Sequence, residues 1–371
     1  MINLSKNKQN KLREGLKMKR RSANVFMAAV ITGSMLGSAG ISAEIVKADE
    51  LKILGTGIYS ASDNFNSYIG KAITNACDGV FETNVDDGQN DQSTQNNQVD
   101  TMLAKGASAI AVSVCDVTAA PSLIQKCQAA GDIPIIFFNK EITDYEVMNS
   151  YENAYQVTST GGDYGAAIQG EMVLEYWKAH PEMDKNGDGK LQLVYLMGDP
   201  GHTASQPRCD FLKSTVEEGG VEIELLAEDT GMWVTANAKE KMDAWVSKYG
   251  DEIECCVAGN DAMALGALAS VEAAGFNTDG TESEKYIPIY GIDALPEILS
   301  KIDSGEIAGS VLQDAKTQGQ VIVKMADNLA SGKDATDGID IKMEKEAKAI
   351  RVPYKAITKD NLDVAESTYA E

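Results

Sequence analysis

The chain has 371 residues and a formal net charge of −23, with 33 Lys and Arg against 56 Asp and Glu. Residues 1–48 carry a net charge of +7, so the remaining 323 residues carry −30. Such a charge argues against nucleic acid or an anionic membrane as a partner, and the length predicts two domains, each with its own core.

Residues 1–48 have the composition of a secretory signal. Residues 6–21 hold eight basic side chains and one Glu, the stretch 25–41 is apolar and uncharged, and small residues follow, with Ala43 or Ala48 as plausible cleavage points. This order of basic, apolar and small residues predicts an exported protein, with Met18 as an alternative start. The apolar stretch is short and rich in Gly and Ser for a membrane helix, which needs about 20 apolar residues, so an uncleaved anchor is the alternative.

From Leu51 onward, short apolar runs alternate with segments whose apolar residues recur at helical spacing. The apolar runs are predicted strands, at residues 52–58, 107–114, 133–139, 191–198, 253–260, 287–293 and 307–314. The predicted helices between them are residues 65–77, 95–103, 204–216, 236–246 and 262–274. Runs that are apolar throughout, separated by amphipathic helices, are typical of α/β units with parallel sheets. Because the strands fall into two sets around residue 158, we predict an α/β fold with two lobes.

The cysteines bear on the redox state of the protein. Six cysteines in an exported protein would suggest disulfide bonds. Five of them lie in apolar runs of strand or helix character, namely Cys77, Cys115, Cys127, Cys255 and Cys256. We therefore predict buried free thiols that pack as small hydrophobic groups, with a disulfide between Cys115 and Cys127 as the alternative.

Polar and aromatic side chains follow the carboxyl ends of the predicted strands. These residues are Asp63, Phe65, Asn139, His202, Arg208, Trp233, Asn260, Asp261, Asp293, Gln313 and Asp314. Ligands of open α/β sheets bind outside those ends. Taken singly, each residue is typical of a helix N-cap or a turn, and Asp63 and Asp261 fit that role well. Together they predict a binding site.

The side-chain types at these positions suit a neutral, hydroxyl-rich ligand. Carboxylate, amide and guanidinium groups form hydrogen bonds with hydroxyl groups, and those to a charged group are the strongest. Phe65 and Trp233 are flat aromatic surfaces on which the C–H faces of a sugar can stack. His202, one of two histidines, follows a strand in the turn GDPGH.

Residues 184–192, DKNGDGKLQ, resemble the first part of an EF-hand calcium loop, in which a Gly at position 6 permits the sharp turn. Position 12 is Tyr195 instead of Glu, and a strand-like run follows instead of a helix. Calcium would therefore need a carboxylate from elsewhere, and a solvated acidic turn is the alternative. The candidate ligands within the loop are the side chains of Asp184, Asn186, Asp188 and Gln192 and the backbone carbonyl of Lys190.

Nine stretches carry a resemblance to a known family. They are DNF (63–65), GQNDQSTQNNQVD (88–100), FFNKE (137–141), DKNGDGKLQ (184–192), GDPGH (198–202), KEKMDAW (239–245), NDAMALGA (260–267), GIDALPE (291–297) and RVPY (351–354). Over about residues 50–365 the chain resembles the galactose/glucose-binding proteins of bacterial ABC sugar uptake. The resemblance implies a type I periplasmic-binding-protein fold, in which two Rossmann-like lobes with parallel sheets are joined by a three-strand hinge.

The resemblance also implies roles for individual residues. It implies hexose contacts at Asp63, Asn139, His202, Arg208, Asn260 and Asp293, and stacking by Phe65 and Trp233. It implies that Glu254 is the missing ligand of a structural Ca²⁺. The first lobe would be residues 49–158 plus 315–350 and the second residues 159–314 plus 351–371, with crossings near Ser159, Ala315 and Arg351.

Two positions depart from the family pattern. Ala204 stands where the family has an Asp near the anomeric end of the sugar, and Gln313 stands where it has an Asn. Loss of the Asp predicts weaker discrimination at that end and tolerance of a methyl group or a larger aglycone. The preference among galactose, glucose and a glycoside is left open.

Three functions fit these observations to different degrees. The leading prediction is a monomeric hexose receptor, without catalytic activity, that delivers its ligand to an ABC permease. A sensor that presents the sugar to a chemoreceptor or a sensor kinase is the second. An exported enzyme with Asp63 and Asp293 as a carboxylate pair is the third. Against the enzyme, the sequence has no GxSxG or P-loop motif, and Gly55-x-Gly57 lacks the third glycine of a dinucleotide fingerprint.

Overall fold

A computed structural model describes residues 51–159 and 162–370. The predicted signal, residues 1–48, lies outside these residues. The strands β1 to β13 are Lys52–Ile58, Phe81–Asp87, Ala109–Val112, Ile135–Phe138, Ala154–Thr158, Lys190–Met197, Glu222–Thr230, Cys255–Ala258, Ile289–Asp293, Gly309–Leu312, Met343–Glu344, Ala349–Arg351 and Lys355–Ile357. The helices α1 to α11 are Asn64–Ala76, Gln92–Ala104, Ala120–Ala129, Tyr145–Asn149, Gly162–Ala179, Ser205–Glu218, Thr235–Tyr249, Asp261–Ala273, Pro296–Asp303, Ala315–Ala330 and Leu362–Tyr369.

The strands form two sheets. One has seven strands in the order β11-β12-β5-β4-β3-β1-β2, and the other has six in the order β13-β10-β9-β8-β6-β7. All pairs are parallel except β11 with β12 and β10 with β13, so an antiparallel strand closes one edge of each sheet. The predicted α/β fold with two parallel-dominated lobes is confirmed, and each lobe is named here by its sheet.

The chain passes between the two sheets three times. It leaves the first sheet after β5. It returns to the first lobe after β10, where α10 packs on α1 and β3. It leaves again between β12 and β13, so the final segment contributes a strand to each sheet.

Each sheet is covered by hydrophobic residues on both faces. Along β3, Ala109 and Ala111 belong to one buried cluster, whereas Ile110 and Val112 belong to another. Successive side chains of a strand point to opposite faces, so this alternation places a separate core on each side of the sheet. Fully buried strands explain why the sequence runs are apolar throughout.

Some predicted elements differ from the observed ones at their ends. The predicted strand 107–114 is paired only over Ala109–Val112, because an apolar run can continue beyond the last ladder hydrogen bond. The seven predicted strands do not include β2, β5 and β7, whose polar residues lower the hydrophobic signal, or the short strands β11 to β13.

All six cysteines lie among the described residues, and all are free thiols. Four of the five cysteines in apolar runs are buried, and so is Cys209, but Cys115 is only half-buried because it lies beyond the end of β3. Burial raises the pKa of Cys127 to about 12, so this thiol stays protonated at neutral pH.

Candidate functional site

The predicted site residues occupy the carboxyl ends of strands from both sheets. Asp63 caps α1 after β1, Asn139 follows β4, His202 and Arg208 follow β6, and Trp233 follows β7; Asn260 caps α8 after β8, Asp293 ends β9, and Gln313 follows β10. Asn139 and Trp233 have φ angles of 63° and 64°. Such backbone conformations are sparsely populated by residues with a Cβ, and they cluster at binding sites.

On the first lobe, Asp63 is held by its neighbours. Its Oδ1 accepts a hydrogen bond of 2.9 Å from the Asn66 backbone N–H, and its Oδ2 accepts one from the Tyr59 hydroxyl. The Lys140 ammonium lies 4.0 Å from the centre of the Tyr59 ring and donates to the Cys115 carbonyl at 2.8 Å. Asp63 is therefore an N-cap, as the simple interpretation predicts, and also faces a cation and a phenol.

Asn139 and His202 join the two lobes. The distance from His202 Nε2 to Asn139 Oδ1 is 3.3 Å, and the Ala204 backbone N–H donates to His202 Nδ1 at 3.1 Å. Burial, together with the positive charges of Lys140 and Arg208, lowers the pKa of His202 well below its usual value. The imidazole is therefore neutral, Nδ1 accepts, and the proton on Nε2 points to Asn139.

Arg208 is the centre of the second-lobe side of the site. Its Nη1 donates to the Gly259 carbonyl at 2.6 Å, and its Nη2 donates to Gln313 Oε1 at 2.7 Å and to the Tyr354 hydroxyl at 3.2 Å. The Tyr354 hydroxyl in turn donates to Gln313 Oε1 at 3.0 Å. Three chain segments thus fix the orientation of the guanidinium. Only 7% of the residue is exposed.

The Trp233 ring packs against His202 and Arg208. Its ring centre is 5.3 Å from that of His202, with the planes at 74°, and the Arg208 guanidinium carbon lies 5.5 Å from it. Gly198 makes room for the ring, because a Cβ there would lie 2.0 Å from the indole. Asn260 supports the same loop by donating to the Trp233 carbonyl at 3.4 Å, while its Oδ1 caps α8.

Asp293 ends β9 with φ at 122°, and Ala294 follows at 48°. Only 3% of Asp293 is exposed. Burial raises the pKa of the Asp293 carboxyl well above its usual range; the Arg208 guanidinium opposes this shift, and the Asp261 and Asp63 carboxylates reinforce it. The carboxyl is thus influenced by an acidic group of each lobe as well as by the buried cation.

The interpretation of Asp261 as an N-cap is wrong. Asn260 is the cap, and Asp261 is the first residue of α8. Its Oδ2 accepts from the Leu295 backbone N–H at 2.8 Å and its Oδ1 from the Ser310 hydroxyl at 2.6 Å. Asp261 therefore holds the loop after β9 in place, and burial raises its pKa to about 7.

Phe65 lies two residues after Asp63, in the hydrophobic cluster of the first lobe. It is 4% exposed, and the same cluster contains Leu295 from the loop after β9. Leu295 therefore carries the second lobe into contact with the core of the first. The stacking role of Phe65 stays a prediction.

Three further residues belong to this site and were not predicted as members of it. Tyr59 and Lys140 directly follow β1 and Asn139, so the strand-end rule used for their neighbours also applies to them. Tyr354 lies 146 residues from Arg208 in the chain, and no local pattern brings it there.

The loop 184–192 is tightly wound. Gly187 and Gly189 have φ angles of 74° and 75°. Asp184 Oδ1 accepts from the Gly187 and Asp188 backbone N–H groups at 2.8 and 3.1 Å, and its Oδ2 accepts from that of Gly189 at 2.9 Å. Asn186 Oδ1 accepts from the Asp188 N–H at 2.9 Å. The oxygen atoms of the loop are thus turned inward, around its own backbone.

Glu254 lies against the loop from the strand side. Its two oxygen atoms accept from the Lys185 and Gln192 backbone N–H groups at 2.7 and 3.0 Å. Burial, with a smaller contribution from the Asp184 carboxylate, raises the pKa of Glu254. Gln192 Oε1 is buried without a hydrogen-bond partner in the described structure. The donor set of carboxylate, amide and carbonyl oxygens is of the kind that a hard cation takes. Within residues 51–159 and 162–370, no group of three or more His, Cys, Asp or Glu side chains that could hold a metal ion is found.

Within the described part of the chain, no helix is both long and apolar enough to span a bilayer.

Known proteins are similar in sequence to this chain over most of its length. The model of a family described as periplasmic binding protein domain matches residues 55–334. The D-galactose/methyl-galactoside binding periplasmic protein MglB of Haemophilus influenzae is 41% identical over 339 residues, which cover 91% of this chain and 97% of that protein. The putative rhizopine-binding protein of Rhizobium meliloti is 28% identical, with 87% and 96% covered.

Solved structures share the fold. A solute binding protein of an ABC transporter from Bacillus halodurans C-125, with bound myo-inositol, has a TM-score of 0.69 at 27% identity, covering 86% of this chain and 99% of that one. A myo-inositol binding protein from Caulobacter has a TM-score of 0.68 at 20% identity, covering 87% and 98%. The second likeness concerns the fold alone.

The raised pKa of Asp261 predicts a pH-dependent stability. The pKa of Asp261 is about 7 in the folded protein and about 3.9 in the unfolded one. The stabilising contribution of this carboxyl to the free energy of unfolding is therefore fully present below about pH 4 and is lost as the pH rises through 7. Asp261→Asn keeps the neutral form, so the variant gains stability relative to the unaltered protein over this range, by at most about 4 kcal/mol. Urea denaturation between pH 4 and 8 measures this, with exposed Asp78→Asn as the control. An equal effect of both substitutions would contradict the assignment.

Proposed function

The chain belongs to the family of periplasmic binding proteins, and from that premise we propose that it is the sugar-binding component of an ABC transporter for galactose and related hexoses. The 41% identity to a D-galactose/methyl-galactoside binding protein supports this ligand class. The observation that carries the proposal is the buried group at the strand ends, where the guanidinium, imidazole and indole of Arg208, His202 and Trp233 converge. These groups suit a ring that bears hydroxyl groups on its edge and C–H bonds on its faces.

Capture follows from the distribution of the site over both lobes. Asn139 Oδ1 of the first lobe and His202 Nε2 of the second are 3.3 Å apart, so a sugar held beside them contacts both lobes. A ligand that contacts both lobes binds their closed arrangement better than an open one, and its binding therefore shifts the population towards closure. A permease would then receive the sugar from the closed protein.

Arg208 supplies a preorganised positive charge. Its hydrogen bonds to Gly259, Gln313 and Tyr354 fix the guanidinium before a ligand arrives. Little side-chain entropy remains to be lost on binding, and a hydrogen bond from a charged donor to a hydroxyl is stronger than one between neutral groups. The neutral His202 can both accept and donate, as a sugar hydroxyl requires.

We propose that the protein is not an enzyme. Asp63 is engaged by the Tyr59 hydroxyl and the Asn66 N–H, and Asp293 lies beside Arg208. The carboxylates thus serve as fixed hydrogen-bonding groups in this proposal. Relatives that match most of the chain are named as binding proteins.

We propose a structural Ca²⁺ in the loop 184–192. Calcium prefers oxygen ligands, and it would compete with the backbone N–H groups that these side chains now accept from. The ion would tie the loop to the strand that carries Glu254. The ligands would be Asp184, Asn186, Asp188, Gln192 and Glu254 with the Lys190 carbonyl.

Export, a monomeric state and delivery to the membrane subunits of an ABC permease complete the proposal. The family description and the predicted signal support export. A sensor role, in which the closed protein docks on a chemoreceptor or a sensor kinase, is the alternative that the same site allows.

Arg208→Lys tests the sugar site. Lysine keeps the charge but loses the planar fork that reaches Gly259 and Gln313 together, so we expect D-galactose to bind about tenfold more weakly or worse. Isothermal titration calorimetry measures the affinity. Lys213→Arg, on the same helix but paired with Glu228 at the surface, is the matched control. Equal affinities of Arg208→Lys and the unaltered protein would rule out this role.

Ala204→Asp tests the altered specificity. Restoring the carboxylate at a position that is 2% exposed should favour the free anomeric hydroxyl over a methyl glycoside. The ratio of the affinities for D-galactose and methyl β-galactoside should rise about tenfold or more, as expected for a buried group that loses its partner. Ala204→Asn separates charge from size. The idea fails if the unaltered protein already prefers the free sugar strongly.

Calcium removal tests the loop. Calcium at a hundredfold excess over its dissociation constant should raise the free energy of unfolding by about 2.7 kcal/mol, and EDTA should abolish this gain. Glu254→Gln should lose the calcium response, whereas Glu282→Gln, an exposed carboxylate lining the same surface depression, should keep it. Differential scanning calorimetry with and without calcium provides the measurement. Identical transitions in calcium and in EDTA would exclude the ion.

A further inference from the structure

The last helix of the chain, α11, ends at Tyr369, which lies beside two predicted binding residues. The Tyr369 hydroxyl donates to the backbone carbonyl of Asp293 at 3.1 Å and is 3.5 Å from that of Gln313. Asp293 at the end of β9 and Gln313 just after β10 are neighbours, because these two strands are paired. A single side chain from the C-terminal helix thus contacts the backbone of both.

The ring of Tyr369 faces the other lobe. It packs edge to face on Tyr68 of α1, with ring centres 5.0 Å apart and planes at 67°. The Tyr68 hydroxyl donates to Glu297 Oε1 at 3.0 Å, at the start of α9. Tyr369 is also packed against hydrophobic clusters of both lobes. The two tyrosines therefore connect α1 of the first lobe with the loop after β9 in the second.

That loop depends on outside support. Asp293 and Ala294 both have positive φ angles without being glycine, and such backbone conformations are strained for residues with a Cβ. The Ser310 hydroxyl accepts from the Ala294 N–H at 3.1 Å, and Asp261 accepts from the Leu295 N–H at 2.8 Å. These two bonds hold the N–H side of the loop, and Tyr369 holds the carbonyl of Asp293.

Both tyrosines act as donors at neutral pH. Burial, with Glu297, raises the pKa of Tyr68 to about 12. Burial, with the Asp293 and Asp261 carboxylates, raises the pKa of Tyr369 well above its usual value. Each hydroxyl therefore keeps its proton and its hydrogen bond over the physiological range.

We propose that Tyr369 is a positioning residue for ligand binding: it holds the backbone of Asp293 in the binding geometry and, through Tyr68, stabilises the closed arrangement of the lobes. The part that concerns affinity rests on the proposed function. The part that concerns closure rests on the contacts between the lobes alone. The C-terminal helix then contributes to affinity through residues that do not touch the sugar.

Tyr369→Phe tests positioning, because it keeps the ring and removes only the donated hydrogen bond. We expect D-galactose to bind about three- to tenfold more weakly, with most of the change in the dissociation rate. Tyr286→Phe is the matched control, since it removes a tyrosine bond of 3.0 Å to the Gly305 carbonyl elsewhere in the second lobe. Stopped-flow kinetics and calorimetry measure both variants. A merely structural role would lower the melting temperature of both and leave the dissociation rate of Tyr369→Phe unchanged, which would overturn the proposal.

Closure has a readout that needs no ligand. Tyr369→Ala loses the ring that packs on Tyr68, so small-angle X-ray scattering of the unliganded variant should give a larger radius of gyration than the unaltered protein. If the unaltered protein fails to bind D-galactose, the proposed function fails, and scattering alone decides the role of Tyr369. Equal radii for the variant and the unaltered protein would overturn the closure part, whatever the sugar result.

Discussion

The burial of the Arg208 guanidinium is the constraint on which the rest of the site depends. A charge removed from water is tolerated only when its N–H groups find partners, and one chain segment alone does not provide them. The partners come from the end of β8, the end of β10 and the crossing segment before β13. The hydrogen bonds of this one side chain therefore fix the three chain segments relative to each other. Asp293 and Trp233 lie around the same guanidinium.

The two lobes contribute different chemistry to the same space. The second lobe supplies the cation and the indole, and the first supplies Asn139, Asp63 and the pair of Tyr59 and Lys140. Because burial, reinforced by the positive charges on both sides, lowers the pKa of His202 and keeps it neutral, the imidazole at their junction can donate from one nitrogen and accept at the other. A neutral ligand with many hydroxyl groups matches such a junction better than an anion or a cation would.

Much of this could be predicted from the sequence, because buried parallel strands are apolar throughout and their carboxyl ends gather at one edge of a sheet. Those two facts were enough to predict that Asp63, Asn139, Arg208 and Asp293 follow strand ends, where the structure places them, and their contacts with a sugar stay a prediction. Tyr354 reaches the site because the chain crosses between the sheets again between β12 and β13, and no local sequence pattern predicts that crossing. The cap of α8 was placed one residue late because Asn260 and Asp261 are both good caps, and only the contacts of Asp261 with Leu295 and Ser310 distinguish them.

The pairing of β12 with β5 has a consequence for the order of folding. Residues 349–351 complete the first sheet beside residues 154–158, and α10 completes its cover on α1. The first lobe therefore lacks two strands, β11 and β12, and the helix α10 until the chain has been made as far as residue 351. Contacts so distant along the chain slow folding. The order of the first sheet is thus completed only by residues about 190 positions beyond the strand that they pair with, so its last strands join late in folding.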